Sequence, residues 1–213
     1  MARQHSGCID NAFLSHFIAA LMTALILGLV IFLGVHSVRI YADAWRTGMR
    51  SQICENSWKS AYSLASIAGF VLIVWGYGQA RLSPVPLWTP LVGMRHLAAL
   101  LMVVSFVLLA AAYVPKNGLK ARLHHPMVLG VKVWALAHLL ANHTLADLVL
   151  FGSFLVWAVV DYRAAKQRDR VAGTTYPAGT VVGTVATLVV GVAAWAAFAF
   201  WAHAALFGVR PFS

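Results

Sequence analysis

Three stretches of this chain contain no charged side chain for eighteen residues or more: Phe17–Val35, Ser60–Ala80 and Leu97–Val114. A fourth extends between Arg170 and Arg210 and holds one clear apolar segment, about 178–208. Crossing a hydrocarbon core of about 30 Å takes about 20 apolar residues in a helix, so each of these runs has the length of a membrane span. Composition agrees. Of the 213 residues 61% are apolar and 10% charged, and the mean hydropathy is +0.78. A soluble domain is roughly a quarter charged, and so few charges would leave large apolar patches on a soluble globule. The same apolar content excludes disorder. Two cysteines, Cys8 and Cys54, exclude a disulfide framework.

Between His124 and Tyr162 the apolar pattern is interrupted by Lys132, His138, His143, Asp147 and Asp161. This segment lies between two basic clusters, Lys116/Lys120/Arg122 and Arg163/Lys166/Arg168/Arg170. If both clusters stay in the cytoplasm, the chain between them crosses an even number of times. Two short helices with a tight turn at Ala141-Asn142-His143-Thr144 fit. The expected fold is therefore all-α: one integral membrane bundle over residues 1–213 with six spans, about 14–38, 60–80, 95–114, 126–142, 145–163 and 178–208.

The net charge of +10 would suggest nucleic acid in a soluble protein. Here it reads as an orientation signal, with no nucleic-acid partner expected. Arg39, Arg46, Arg50 and Lys59 join the two clusters to place eleven basic residues on one side of the membrane. Arg3, Arg81, Arg95 and Arg210 place four on the other. The positive-inside rule then puts both termini outside, with the loops between odd and even spans in the cytoplasm. Cys8 and Cys54 would lie on opposite sides, so no disulfide is expected between them. No cleavable signal peptide is evident. Tyr41, Trp45, Trp58 and Tyr62 flank the first cytoplasmic loop, as interfacial aromatics do.

Few chemistries remain. Asp147 and Asp161 are too far apart along one helix to form a carboxylate dyad, and no hydrolase or phosphate-binding motif is present. Nine histidines remain. His5 lies in the outer tail, and His16, His96 and His203 lie near span ends, where an interfacial or structural role suffices. His124-His125-Pro126 reads as a helix entry with proline in the first turn. Lys132 lies about 120° around its helix from His138 and reads as a snorkelling cation.

His36 and His138 lie deeper. Phe32, His36, Arg39 and Asp43 share one helical stripe, with Asp43 as the i+4 partner of Arg39. Met127, Val131, Trp134, His138 and Asn142 form another. Two helices that each present one inward histidine suit a b-type haem held by two axial imidazoles, and Arg39 suits its propionates. The competing reading is that each imidazole bonds a neighbouring helix. A level pair of ligands requires the first helix to continue past Arg39, or the fourth to start below the interface.

Several motifs together carry a family resemblance. Leu33-Gly34-Val35-His36-Ser37-Val38-Arg39, the block Tyr62 to Phe70, Gly76-Tyr77-Gly78-Gln79-Ala80-Arg81, His125-Pro126, Trp134 to Asn142 and Phe151 to Trp157 resemble the NnrU family from about residue 25 to 160. The final span carries no comparable signal. The resemblance implies a bacterial inner-membrane protein associated with nitrite or nitric oxide metabolism in denitrification. A related branch, the haem-dependent zeta-carotene isomerase, places its haem histidines at positions matching His36 and His138. That branch has a cysteine three residues before its second histidine, where this chain has Ala135. The family often continues Ala-Asn with Gly-Asp, where this chain has His143-Thr144, so a local acidic group is missing.

The resulting expectation is a b-type haem ligated by His36 and His138 with Arg39 nearby, serving a redox, sensing or accessory role. Membrane lipid and denitrification membrane proteins are the partners that go with it. The alternatives are a haem-dependent cis-trans isomerase of a lipid-soluble polyene or isoprenoid, and a haem-free structural or assembly protein.

Overall fold

A computed structural model describes residues 7–89, 91 and 93–212, with side chains from Met22 onward. Arg3 and His5, and the side chains of Cys8 and His16, lie outside the described residues. The elements are α1 (Gly7–Tyr41), α2 (Asp43–Gln52), α3 (Glu55–Ala80), α4 (Met94–Tyr113), α5 (Gly118–Leu123), α6 (Pro126–Ala141), α7 (Leu145–Ala172), α8 (Val181–Ala197) and α9 (His203–Phe207). A π-helical turn, Phe198–Ala202, joins the last two. Among the described residues there is no β-strand, so the chain is an all-α membrane protein.

Five helical stretches are long and apolar enough to span: Met22–Tyr41, Glu55–Ala80, Met94–Tyr113, Leu145–Ala172 and Val181–Phe207. The expected fourth span, α6, has sixteen residues and is about 24 Å long, short of the ~30 Å core. Pro126 fixes its start. At its end Asn142 turns to extended backbone, and the expected turn leads into α7. That helix runs past the expected boundary at 163, so the second basic cluster is helical rather than a loop. Arg168 reaches back toward Asp161 at 3.8 Å. The last span starts at Val181, later than the expected 178, because Thr180 is its cap, with Oγ1 accepting from Gly183 N–H at 3.0 Å.

Contacts divide the chain into two compact units. The first comprises residues up to Pro86 with Thr144–Leu150, and the second Leu87–His143 with Phe151 onward.

In the first unit α1 packs antiparallel on α3 along a seam of glycines. A Cβ at Gly69 would come within 2.8 Å of Phe32 N, and one at Gly76 within 2.5 Å of Leu25 N. A Cβ at Gly28 would meet Ile73 N at 2.6 Å. The three pairings share one register, so hydrogen side chains let the backbones touch all along the helix pair, as in small-residue membrane packing. The register brings the His36 turn of α1 opposite Ser66 of α3, and Arg39 opposite Tyr62.

In the second unit α4 packs on α6 and α8. Ser105, fully buried, donates to Gly130 O at 2.9 Å, and Val107 fills the space over Gly191. Asn117, also buried, caps α5 by accepting from Lys120 N–H at 2.7 Å and donates to Ala111 O at 2.9 Å. Gly179 and Gly183 form the small-xxx-small pattern that in other helices serves dimerisation. Here a Cβ on either would collide with Gly118 or Lys116 of the same chain, so intramolecular packing accounts for both.

The helices leave large apolar side chains uncovered along their length, among them Val30 (64% exposed), Leu64 (69%) and Val189 (62%). In water such a surface would aggregate; in a bilayer it is the lipid-facing surface.

Candidate functional site

The two histidines singled out by the sequence sit in different units, and each is held by its own helix. On α1, His36 Nδ1 lies 2.7 Å from Phe32 O, one turn back. The Phe32 ring stacks on the imidazole at 4.3 Å with a 29° interplanar angle. Tyr62 of α3 meets its edge at 5.4 Å. The helix continues past Arg39 to Tyr41. Asp43 does not extend this stripe. The helix breaks at Ala42, and Asp43 instead opens α2 and pairs with Arg46 at 3.2 Å.

His138 on α6 repeats the arrangement. Its Nδ1 lies 2.9 Å from Trp134 O, again one turn back. Phe151 of α7 stacks on the ring at 4.5 Å and 26°. Trp134 lies beside it at 5.2 Å and itself meets Phe151 and Phe154 edge-on. Asn142 donates to His138 O at 2.9 Å, closing the helix above the imidazole.

The consequence is chemical. An imidazole that donates from Nδ1 to a carbonyl carries its lone pair on Nε2, the tautomer that binds a metal through Nε2. A phenyl ring stacked on one face restricts rotation about the side-chain bonds. Both histidines therefore have the same tautomer selection and the same steric support. Among the described residues no three His, Cys, Asp or Glu side chains gather as a metal-ion site. Ser66, opposite the His36 turn, has a buried hydroxyl without a hydrogen-bond partner among the described residues.

Two polar clusters were not legible in the sequence. In the first unit Tyr77 donates to Asp147 Oδ1 at 2.6 Å. Thr144 donates from both N–H (2.9 Å) and Oγ1 (2.6 Å) to Oδ2 of the same carboxylate. Asp147 N–H returns a bond to Thr144 Oγ1 at 3.3 Å, a reciprocal cap at the start of α7. Asp147, 5% exposed, thus supplies an acidic group to the turn where the family's Gly-Asp is absent. The spacing Thr144-x-x-Asp147 was the available signal.

In the second unit His125 Nε2 lies 2.8 Å from Asp169 Oδ2, and Tyr176 donates to the same oxygen at 2.9 Å. His124 stacks on Tyr176 at 4.2 Å and 8°. The backbone of His124 is in the positive-φ region (φ 67°, ψ −51°), and His125 N–H donates to Leu123 O at 2.8 Å. This is a γ-turn that L-residues rarely adopt. The turn places two successive histidines around one carboxylate. Burial, then the bond to Asp169, raises the Tyr176 phenol above its ordinary pKa. The helix-entry reading of His124-His125-Pro126 therefore holds, with a hydrogen-bonded cluster around Asp169 added.

Of the other histidines, His203 Nδ1 lies 2.7 Å from Val209 O at the end of the last helix, a local structural contact. Lys132 is half-buried on α6. Ala135, at the position of the isomerase branch's cysteine, is fully buried and offers no ligand atom.

The sequence model of the family described as NnrU protein matches residues 24–211. The match extends past the motif-bearing stretch and takes in the final span. No curated protein and no solved structure matches the chain.

Proposed function

The chain belongs to the NnrU family, and from that premise we propose that it is a bacterial inner-membrane protein binding one b-type haem through His36 and His138. The observation that carries this reading is the paired Nδ1 contact, 2.7 Å to Phe32 O and 2.9 Å to Trp134 O. It selects the same ligand tautomer twice, in a chain with few other chemical groups. Two imidazole ligands would suit a low-spin iron that exchanges electrons without binding substrate. Arg39, one turn beyond His36, supplies the cation for a propionate. The Ser66 hydroxyl, level with His36, supplies a hydrogen-bond donor.

Within this proposal the chain's own residues fix ring orientation, through Phe32 and Phe151, and keep both nitrogens' roles defined. The bound haem would supply one-electron chemistry. Its setting is nitrite and nitric oxide metabolism, as a redox, sensing or accessory component of denitrification, with both termini periplasmic. An isomerase reading has less support, because Ala135 cannot take the exchanging-ligand role.

The test is an absorption spectrum of the full chain, purified in detergent after haem-sufficient expression. A Soret band with reduced α and β bands is expected, lost in His36→Ala and in His138→Ala. A colourless wild-type protein overturns the proposal.

A further inference from the structure

The loop between the first two spans contains a helix of its own. α2 is ten residues long, carries no buried residue, and is strongly two-sided. Trp45, Met49 and Gln52 follow one another at helical spacing on one side. Asp43, Arg46, Thr47 and Arg50 occupy the other. The polar side satisfies itself: Arg46 pairs with Asp43, Thr47 Oγ1 donates to Asp43 O at 2.8 Å, and Arg50 reaches Glu55 at 3.3 Å. The apolar side has no such closure. Trp45 is 55% exposed, and Tyr41 just before the helix is 77% exposed.

Contacts with α3 orient the helix. The Trp45 ring meets Trp58 edge-on at 5.8 Å. Trp58 lies one turn inside the span that begins at Glu55, whereas Arg50 pairs with Glu55 itself, the first residue. The apolar side of α2 therefore faces the level inside the span, and the charged side faces the level of its entry. α1 and α3 both end at this face of the membrane. Their lipid-facing surface, with Val30 and Leu64 exposed, continues into the exposed Tyr41, Trp45 and half-buried Trp58.

We propose that α2 is an interfacial helix whose occupant is the bilayer surface itself, with Trp45 and Met49 inserted at the headgroup–acyl boundary. Tyr41, Trp45 and Trp58 then form one aromatic belt, and Arg46 and Arg50 stay in water. This inference is independent of haem.

The experiment uses the full chain with Cys8 and Cys54 replaced by serine, reconstituted in vesicles of phosphatidylcholine and phosphatidylglycerol. Single cysteines placed by Met49→Cys or Thr47→Cys carry an environment-sensitive fluorophore. Position 49 is expected to be quenched severalfold more by nitroxide-labelled lipid than by aqueous iodide, and position 47 to show the reverse. Gln52→Cys against Ser51→Cys repeats the comparison if a label at 49 prevents folding. Equal iodide access at both positions overturns the proposal. So does shielding of position 49 from both quenchers, which would place a protein surface, such as a second copy of this chain, over the apolar side.

Discussion

Tyr77 and Asp147 lie seventy residues apart in sequence and share a 2.6 Å hydrogen bond that ties α3 to the first turn of α7. The carboxylate is buried and takes two further bonds from Thr144, so removing the phenol leaves it short of one donor. Loss of a donor to a buried charged group costs about 1–3 kcal/mol. Tyr77→Phe is therefore expected to lower the unfolding midpoint in detergent. In a double-mutant cycle with Asp147→Asn the two losses should add to less than their sum. Full additivity would mean that the bond carries no coupling.

The α1–α3 seam gives a paired prediction. Gly69→Ala drives a methyl against the Phe32 backbone, where no rotamer change relieves it, and overpacking of this kind costs about 1–3 kcal/mol. A Cβ at Gly34 meets nothing within 4 Å. Gly34→Ala should therefore be neutral or stabilising by up to about 1 kcal/mol through helix propensity. Thermal unfolding of the two variants side by side checks the contrast; equal effects would contradict the seam.

What the sequence revealed follows from the range of each signal. The apolar runs are local and long, so the spans and the turn at 141–144 are legible. The stripes through His36 and His138 are local too, and the structure adds the Nδ1 contacts that an i−4 spacing permits. α2 was missed because ten residues rich in charge read as loop. α7 was cut short because a basic cluster marks a membrane boundary more reliably than a helix end. The His125–Asp169 and Tyr77–Asp147 bonds were invisible because they join residues 44 and 70 apart, a distance that no periodicity encodes.

Asp169 is the common acceptor for His125 and Tyr176 and so holds the 173–180 linker against the α6 entry. Asp169→Asn is expected to speed tryptic cleavage after Arg170 severalfold while the helical circular dichroism is retained. An unchanged cleavage rate would show that the γ-turn at His124 holds the linker without it.

The same cluster sets an alkaline limit. Tyr176 keeps its proton above the ordinary phenol value of 10.0, first because burial disfavours the phenolate and then because the hydroxyl bonds Asp169. A group with a raised folded-state pKa contributes stability that is intact below its unfolded value and is lost as pH rises through the folded one. The linker contact is therefore expected to be intact up to about pH 10 and to loosen above it. Tyr176→Phe should abolish that alkaline step. Ultraviolet difference titration together with proteolysis of the linker follows both events, and an alkaline step that persists in the phenylalanine variant would assign it elsewhere.

Cys54 tests the orientation on which the placement of every site depends. It is exposed with a free thiol between α2 and α3, in the loop that holds Arg39, Arg46, Arg50 and Lys59. If the excess of basic residues marks the cytoplasm, a membrane-impermeant thiol reagent should label Cys54 in inverted membrane vesicles and leave it unmodified in intact spheroplasts. The measurement is made in a Cys8→Ser background, so that one thiol reports. Labelling from the periplasmic side would reverse this orientation, and with it place Arg39 on the outer face.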